Sequence, residues 1–261
     1  MSDASAIRCV CRYSGGLSSH LAAHRAIEEF GVEHTVLLFA DTLSEDADLY
    51  RFIREATAAL GAKLVVVCDG RTIWQVMRDE RFLANSRIDP CSRILKREAL
   101  DKWCSANAPD AVPVIGYTSC EASRFERLNQ RFGGKLRAPL MEPPTVSKGQ
   151  VMSEFREYFP DIEPPRLYHL GAEHNNCGGA CVKAGHAHFA WLLRTLPDVY
   201  AEWEREEQGL REFLGRDDVS ILRDRNGGAV RPITLREFRQ RIECKMRLPL
   251  FEPSTACMCG E

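Results

Sequence analysis

The chain has 261 residues, of which 44% are hydrophobic and 28% charged, and its formal net charge at pH 7 is −2. These values are typical of a globular protein with one large domain or one domain and an appendage. The small negative charge excludes a global basic field that would attract nucleic acid, and no apolar run is long enough to cross a bilayer. The first ten residues lack the pattern of a signal peptide, so we expect a cytoplasmic protein with no membrane partner.

The first 120 residues alternate short apolar segments with longer amphipathic ones. The predicted strands cover residues 6–13, 34–41, 63–69 and 112–118. The predicted helices cover residues 19–31, 44–61, 72–82 and 90–106. This order predicts an α/β fold, in which a parallel twisted sheet is covered by helices on both faces. Ligands of such sheets bind beyond the carboxyl ends of the strands.

The pattern changes after residue 135. A proline-rich connector spans residues 137–150, and the predicted helices that follow are long and amphipathic. We therefore expect two parts, an α/β domain over residues 1–140 and a mostly helical, cysteine-bearing region over 141–261 that packs on it.

The first predicted strand is followed directly by the sequence SGGLSS, residues 14–19. Glycines at a strand-to-helix junction let backbone amides approach a ligand, and the helix N-terminus adds a partial positive charge. The hydroxyls of Ser14, Ser18 and Ser19 can donate to phosphate oxygens. The pattern is neither a Walker loop nor a dinucleotide fingerprint. It predicts a phosphate site, and a tight turn with a helix cap is the alternative.

This loop resembles the PP-loop of the ATP pyrophosphatases, whose usual form is S-G-G-x-D-S. That family includes thiolation enzymes, amide-forming synthetases and sulfonucleotide reductases. The resemblance implies an α/β nucleotide-binding fold that takes ATP with Mg²⁺ and leaves the α-phosphate open to attack. The residues it assigns to the nucleotide are Ser14, Gly15, Gly16, Ser18 and Ser19, with Ser18 at the position where the family usually has Asp.

The segment FADTLSEDADLYRF is similar to the second strand of the sulfonucleotide reductases, where Asp/Asn-Thr-Gly is followed by an acidic residue. Asp41 and Thr42 match that pattern, Leu43 replaces the glycine, and Asp48 falls at the acidic position. The resemblance implies that Asp41 and Thr42 bind the nucleotide through ribose or adenine. A helix cap is the alternative role of Asp41.

The segment GYTSCEASR resembles the G-x-x-x-x-E-x-x-R pattern of the same reductases. Gly116, Glu121 and Arg124 are in its register. The resemblance implies that Gly116 and Glu121 belong to the nucleotide site. The planar fork of Arg124 is suited to phosphate or sulfate oxygens.

Eleven cysteines are many for a reducing compartment, in which disulfides are rare. The isolated ones are predicted to be small buried hydrophobic residues: Cys9, Cys11, Cys68 and Cys104. Two close pairs, Cys177 with Cys181 and Cys257 with Cys259, indicate metal or redox chemistry. Thiolates of this kind bind either an iron–sulfur core or a structural zinc ion, and the residue types leave both open, with no metal as a third alternative.

Two segments resemble the iron–sulfur adenylyl-sulfate reductases. PCSRILKREAL matches C-C-x-x-x-K with Cys91 and Lys96, although Ser92 replaces the second cysteine, and PPRLYHLGAEHNNCGGAC matches P-L-Y-x-x-G followed by a cysteine pair. The resemblance implies a 4Fe–4S cluster whose charge Lys96 offsets. The ligands it implies are Cys91, Cys177 and Cys181. For the position that Ser92 cannot fill, Cys257 is the candidate, with Cys259 and Cys244 as alternatives; if none of them reaches the cluster, the fourth iron is open to a substrate or sulfide.

Together these segments predict an enzyme that activates an acceptor as an adenylate with ATP and transfers sulfur to it. Lys96 and Arg124 would stabilise charge on the phosphate. The donor would be sulfide or a thioredoxin-like protein, and the acceptor a small molecule or a nucleobase in tRNA or DNA. One alternative is reduction of adenylyl sulfate or its 3′-phosphate with Cys259 as the nucleophile. Another is a non-catalytic module that senses a nucleotide or a metal.

Overall fold

The computed structural model of the chain describes residues 6–175, 177–224 and 230–247. Four parallel strands form one sheet in the order β3-β2-β1-β4. The strands are β1 (Cys9–Arg12), β2 (Thr35–Asp41), β3 (Lys63–Cys68) and β4 (Val112–Val114). They fall where the sequence predicts strands, and the parallel α/β fold with a helical C-terminal region is confirmed.

Helices cover both faces of this sheet. On one face lie α1 (Leu17–Phe30), α2 (Ala47–Leu60) and α6 (Val151–Tyr158), which pack on the inward side chains of β1 and β2. On the other face lies α4 (Ala99–Asn107), whose apolar residues meet Val10 and the alternate side chains of the sheet. Period-two alternation of the strands explains why both faces are apolar.

The isolated cysteines follow this layering only in part. Cys9 and Cys11, in the central strand β1, are fully buried as predicted. Cys104 on α4 is half-buried, and Cys68 is exposed, so the prediction for Cys68 is wrong. The reason is its place: β3 is an edge strand in which Lys63 and Val66 are also exposed, and Cys68 is its last residue.

The remaining helices and strands lie outside the four-stranded sheet. A π-helix, Ser92–Glu98, runs directly into α4. Residues 186–214, where the amphipathic pattern allows one or two helices, form two, because Pro197 begins a new one. The other elements are α3 (Ile73–Asp79), α5 (Ala122–Arg131), α7 (Arg166–His169), α8 (His186–Thr195), α9 (Pro197–Leu214), α10 (Leu235–Arg247) and an unpredicted antiparallel pair, β5 (Leu222–Asp224) and β6 (Arg231–Ile233).

Two apolar cores cross the expected division at residue 140. Val151 and Phe155, which come after it, pack with α1 and α2 against the sheet. Ile73 and Met77, which come before it, pack in a second core with α8, α9 and α10. The helical region is therefore joined to the α/β part by shared cores. Among the described residues, no helix combines the length and apolar character needed to cross a membrane.

Candidate functional site

The sheet order creates a gap at the carboxyl ends of β1 and β4. The chain passes from β1 to β2 and β3 on one side, and then returns to place β4 on the other side of β1. Such a switch point is where open parallel sheets bind ligands. The SGGLSS loop follows β1, and the segment that begins near Gly116 follows β4, so both flank this gap.

The SGGLSS loop is braced by its own side chains. Gly15 has φ +73°, in the left-handed region that favours glycine. The Ser19 hydroxyl donates to the Gly16 carbonyl at 2.7 Å and accepts from the Ser14 amide at 3.3 Å. The hydroxyl proton of Ser19, a residue predicted to contact phosphate, is therefore donated to the loop's own backbone. Within the described chain Gly16 caps α1 with no side-chain acceptor, which suits an anion at this helix N-terminus.

Gly116 is required by close backbone packing. A Cβ atom on Gly116 would lie 2.6 Å from the backbone nitrogen and Cα of Ser19 and 2.7 Å from the carbonyl carbon of Ser18. The segment after β4 therefore packs directly on the start of α1. Tyr168 also approaches, because a Cβ on Gly16 would lie 3.1 Å from its hydroxyl oxygen. Three distant parts of the chain meet at the glycine loop.

The end of β2 forms a fixed turn. Asp41 accepts from the Tyr50 hydroxyl at 2.8 Å and from the Leu43 amide at 2.9 Å, while Asp46 caps α2. Asp41 therefore does not cap that helix. Leu43 has φ +55°, a conformation that favours glycine, and its side chain is exposed. The backbone thus keeps the form expected for glycine at the position where Leu43 replaces it.

Glu45 joins three parts of the site and was missed in the sequence. Its side chain is only 2% exposed. It accepts from the Thr42 hydroxyl at 3.0 Å, from the Lys96 ammonium at 3.0 Å and from the Cys177 amide at 2.9 Å. Within the acidic run SEDAD it looks like a solvated residue, and only the Thr42-x-x-Glu45 spacing signals a local partner.

Lys96 lies on the π-helix with its ammonium group against Glu45. Burial acts to lower its pKa, but the carboxylate of Glu45 and the nearby Cys177 outweigh burial and raise the pKa above its ordinary value. Lys96 therefore stays cationic beside the cysteine pair. A π-helical turn often occurs at a functional site, and here it carries the predicted lysine.

The cysteine loop, residues 177–181, begins with three residues of positive φ: Cys177, Gly178 and Gly179. His188, which was not chosen as a ligand, lies with its Nε2 2.7 Å from the Gly179 carbonyl oxygen. The Cys177 and Cys181 thiols lie close enough to interact as a hydrogen-bonded pair. That hydrogen bond raises the pKa of Cys177 and lowers the pKa of Cys181, which Lys96 lowers further.

Cys91 lies in the second core and is 7% exposed. Burial, followed by the nearby Cys181, raises its pKa to about 11. Within residues 6–175, 177–224 and 230–247, no three cysteine, histidine, aspartate or glutamate side chains are placed to hold one metal ion. The described residues alone therefore do not complete the predicted cluster. Cys257, the predicted fourth ligand, and Cys259, the predicted nucleophile, lie outside the described residues.

Arg124 and Glu121 lie together beyond β4. Glu121 accepts from the Thr118 amide at 3.1 Å and from Arg124 at 2.9 Å. The guanidinium of Arg124 also stacks 4.6 Å from the ring centre of Tyr117, and its side chain is 61% exposed. An exposed arginine held at one end by a carboxylate and an aromatic ring keeps donors for an oxyanion.

The fold and the site define a class: a parallel α/β protein with a glycine loop at its switch point and a cysteine loop docked on the neighbouring strand end. No protein-family model matches the sequence, and no curated protein matches it.

Proposed function

We propose that the protein is a PP-loop enzyme that uses ATP to activate an acceptor as an adenylate and then transfers sulfur to it. The observation that supports this is that two loops lie next to each other at the carboxyl ends of the strands. The glycine loop follows β1, while the cysteine loop lies on the end of the adjacent β2. A Cβ on Gly178 would lie 3.3 Å from the Ser44 carbonyl oxygen, which shows how closely the cysteine loop packs there.

In this proposal the glycine loop holds the terminal phosphates of ATP together with Mg²⁺. The N-terminus of α1 supplies amide donors and a partial positive charge. Arg124 exchanges one contact with Glu121 for a phosphate oxygen and stabilises charge that develops in the transition state. The acceptor oxygen attacks the α-phosphate, and pyrophosphate leaves.

In the second half of the reaction, the cysteine loop holds the sulfide that reacts. Sulfide attacks the activated carbon of the acceptor, and AMP leaves. The sulfide is either free or released from a persulfide on a thioredoxin-like protein when that protein's second thiol displaces it and a disulfide forms. Lys96 holds positive charge beside Cys177 and Cys181, which favours anionic sulfur there. The 4Fe–4S cluster implied by the resemblance, or a zinc ion instead, would need Cys257 besides Cys91, Cys177 and Cys181, and no step above depends on it.

The experiment combines anaerobically purified protein with ATP, Mg²⁺, ³⁵S-sulfide and either bulk tRNA or duplex DNA. AMP, pyrophosphate and labelled nucleic acid are measured for the native protein, for Cys181→Ser and for Cys68→Ser as an exposed-cysteine control. We expect all three products from the native protein and from the control, and no label with Cys181→Ser.

Two results would contradict the proposal, and they differ from each other. Sulfite formed from adenylyl sulfate, with no AMP formed from ATP, indicates a sulfonucleotide reductase. ATP binding with no AMP in any mixture, including mixtures with small-molecule acceptors, indicates a nucleotide-sensing module.

A further inference from the structure

The four-stranded sheet has two edge strands, which differ in how the described part of the chain protects them. β4 spans three residues, contains Pro113, and pairs on its outer side with Arg137. Short length, proline and a covering segment are means by which proteins protect a strand edge. β3 spans six residues without proline, and among the described residues only β2 forms hydrogen bonds with it.

The outer side of β3 is open and largely apolar. In a strand with one neighbour, alternate backbone N–H and C=O groups point away from that neighbour. Within the described residues, those of β3 form no hydrogen bond. Val66, in the middle of the strand, is 54% exposed, and Lys63 and Cys68 at its two ends are exposed as well. An open edge of this kind is a template for pairing with another strand.

The sequence of β3 is complementary to itself in one antiparallel register. With a two-fold axis at Val66, each residue of one copy lies opposite an apolar residue or an opposite charge of the other: Leu64 with Cys68, Val65 with Val67, and Lys63 with Asp69. Side chains directly opposite each other in antiparallel strands lie about 5 Å apart and interact. Shifts by two residues place Lys63 opposite either Val67 or Arg71, and a shift by one would pair opposite faces.

The turn after β3 supplies the negative charge that this register needs. Arg71 pairs with Asp69 at 2.6 Å and with Asp79 at 2.8 Å, so two carboxylates share one guanidinium. The turn therefore keeps a net negative charge, which Lys63 of a second copy would neutralise. Because a two-fold axis repeats every contact, one such ion pair lies on each side of the apolar centre.

We infer that β3 is the interface of a homodimer, in which two copies pair through antiparallel β3 strands and join their sheets into one. The pairing provides partners for the outward backbone groups of β3 and covers Val66. The carboxyl ends of the two sheets then point in opposite directions, so each copy keeps its own candidate site open. The dimer does not depend on the proposed function.

The first test is sedimentation velocity on the full chain at micromolar concentrations, because an interface of one strand per copy is small. We expect the native protein to dimerise. Val66→Lys places two like charges opposite each other at the axis and should weaken the dimer about tenfold. Val66 is exposed, so this variant should stay folded, as checked by circular dichroism. The matched control is Val230→Lys, since Val230 is also 54% exposed but lies in the helical region.

A pair of charge variants tests the register. In a dimer of Lys63→Glu two carboxylates would face each other at each end of the interface, and in a dimer of Asp69→Lys two ammonium groups would. Each variant alone should dimerise about tenfold more weakly than the native protein. An equimolar mixture should form mixed dimers, because opposite charges then meet at both ends. Arg71 keeps Asp79 as a partner in Asp69→Lys.

Three results would overturn the inference. The first is a native chain that stays monomeric, whether hydrogen exchange finds the β3 amides open or protected by another segment of the same chain. The second is a native dimer that Val66→Lys weakens no more than Val230→Lys does. The third is a mixture of the two charge variants that associates no better than either variant alone. If Val66→Lys fails to fold, the charge variants carry the test.

Discussion

The glycine loop and the cysteine loop both lie at the carboxyl ends of the strands but are built in different ways. The glycine loop is braced by hydrogen bonds between Ser14, Gly16 and Ser19, all within six residues. The cysteine loop is anchored by Glu45, which lies 132 residues before the Cys177 amide that it binds. One loop is held in shape by its own hydrogen bonds and is packed by Gly116 and Tyr168, while the other depends on a buried carboxylate, paired with Lys96, from another part of the chain.

The largest effect should come from removing the charge that anchors the cysteine loop. Glu45→Gln leaves Lys96 without its counter-ion and replaces one of the two oxygens that together accept three hydrogen bonds by an amide nitrogen, which cannot accept. Because the carboxylate is buried while Lys96 is partly exposed, this change should lower the free energy of unfolding by about 1–3 kcal/mol, measured by urea denaturation.

The matched control is Glu55→Gln, which breaks an exposed pair with Arg51 on α2. Exposed pairs contribute little, so the change should be below about 1 kcal/mol. Equal small losses for Glu45→Gln and Glu55→Gln would show that the ion pair does not anchor the cysteine loop.

The glycine loop should be sensitive to a single methyl group. In Gly116→Ala the new Cβ would meet the backbone of Ser19 at 2.6 Å, and backbone cannot move aside as a flexible side chain can. We expect about tenfold weaker ATP binding by equilibrium dialysis and a stability loss of about 1–3 kcal/mol. Gly149→Ala, which has no atom within 4 Å of the new Cβ, should leave both unchanged. Unaltered ATP binding by Gly116→Ala would show that the nucleotide does not bind at the switch point between β1 and β4.

The cysteine loop should respond to pH in a way that the glycine loop does not. Thiolate is the form that alkylates, so each rate rises with pH and levels off above the pKa of that cysteine. The pKa of Cys181 is lowered by the hydrogen bond with Cys177 and by Lys96, whereas burial raises that of Cys91 to about 11. In metal-free protein, iodoacetamide should label Cys181 at least tenfold faster than Cys91 at pH 7, as read by peptide mass spectrometry. Equal rates would contradict this ordering.

The smallest effect should come from Lys183, an exposed residue whose charge also lowers the pKa of Cys181. Lys183→Gln removes the charge and should slow alkylation of Cys181 about twofold at pH 7, because exposed charges are screened. Lys148→Gln, an exposed change elsewhere, is the control. A tenfold loss with Lys183→Gln would mean that Lys183, and not the Lys96–Glu45 pair, sets the charge at this loop.

The difference between the two loops also explains what the sequence could predict. The four strands, most helices and the position of the glycine loop follow from local periodicity and from the residues SGGLSS, and the structure has them where expected. Cys177 and Cys181 were singled out by their close spacing and Cys91 only by resemblance, and Cys91 lies near Cys181 in the structure. The anchor Glu45 was missed because its partners, Lys96 and Cys177, are distant in sequence and an acidic run gives no sign of burial. The exposure of Cys68 was missed because strand order decides which strand is the edge.

The central claim is that the nucleotide and the thiols lie side by side at the carboxyl ends of the strands. The most direct measurement is the rate at which iodoacetamide alkylates Cys181 with and without saturating ATP and Mg²⁺, in the native protein and in Gly116→Ala. The account predicts that ATP slows alkylation in the native protein and that this protection is lost in Gly116→Ala. Identical rates with and without ATP, at concentrations that saturate ATP binding to the native protein, would show that the two sites are separate.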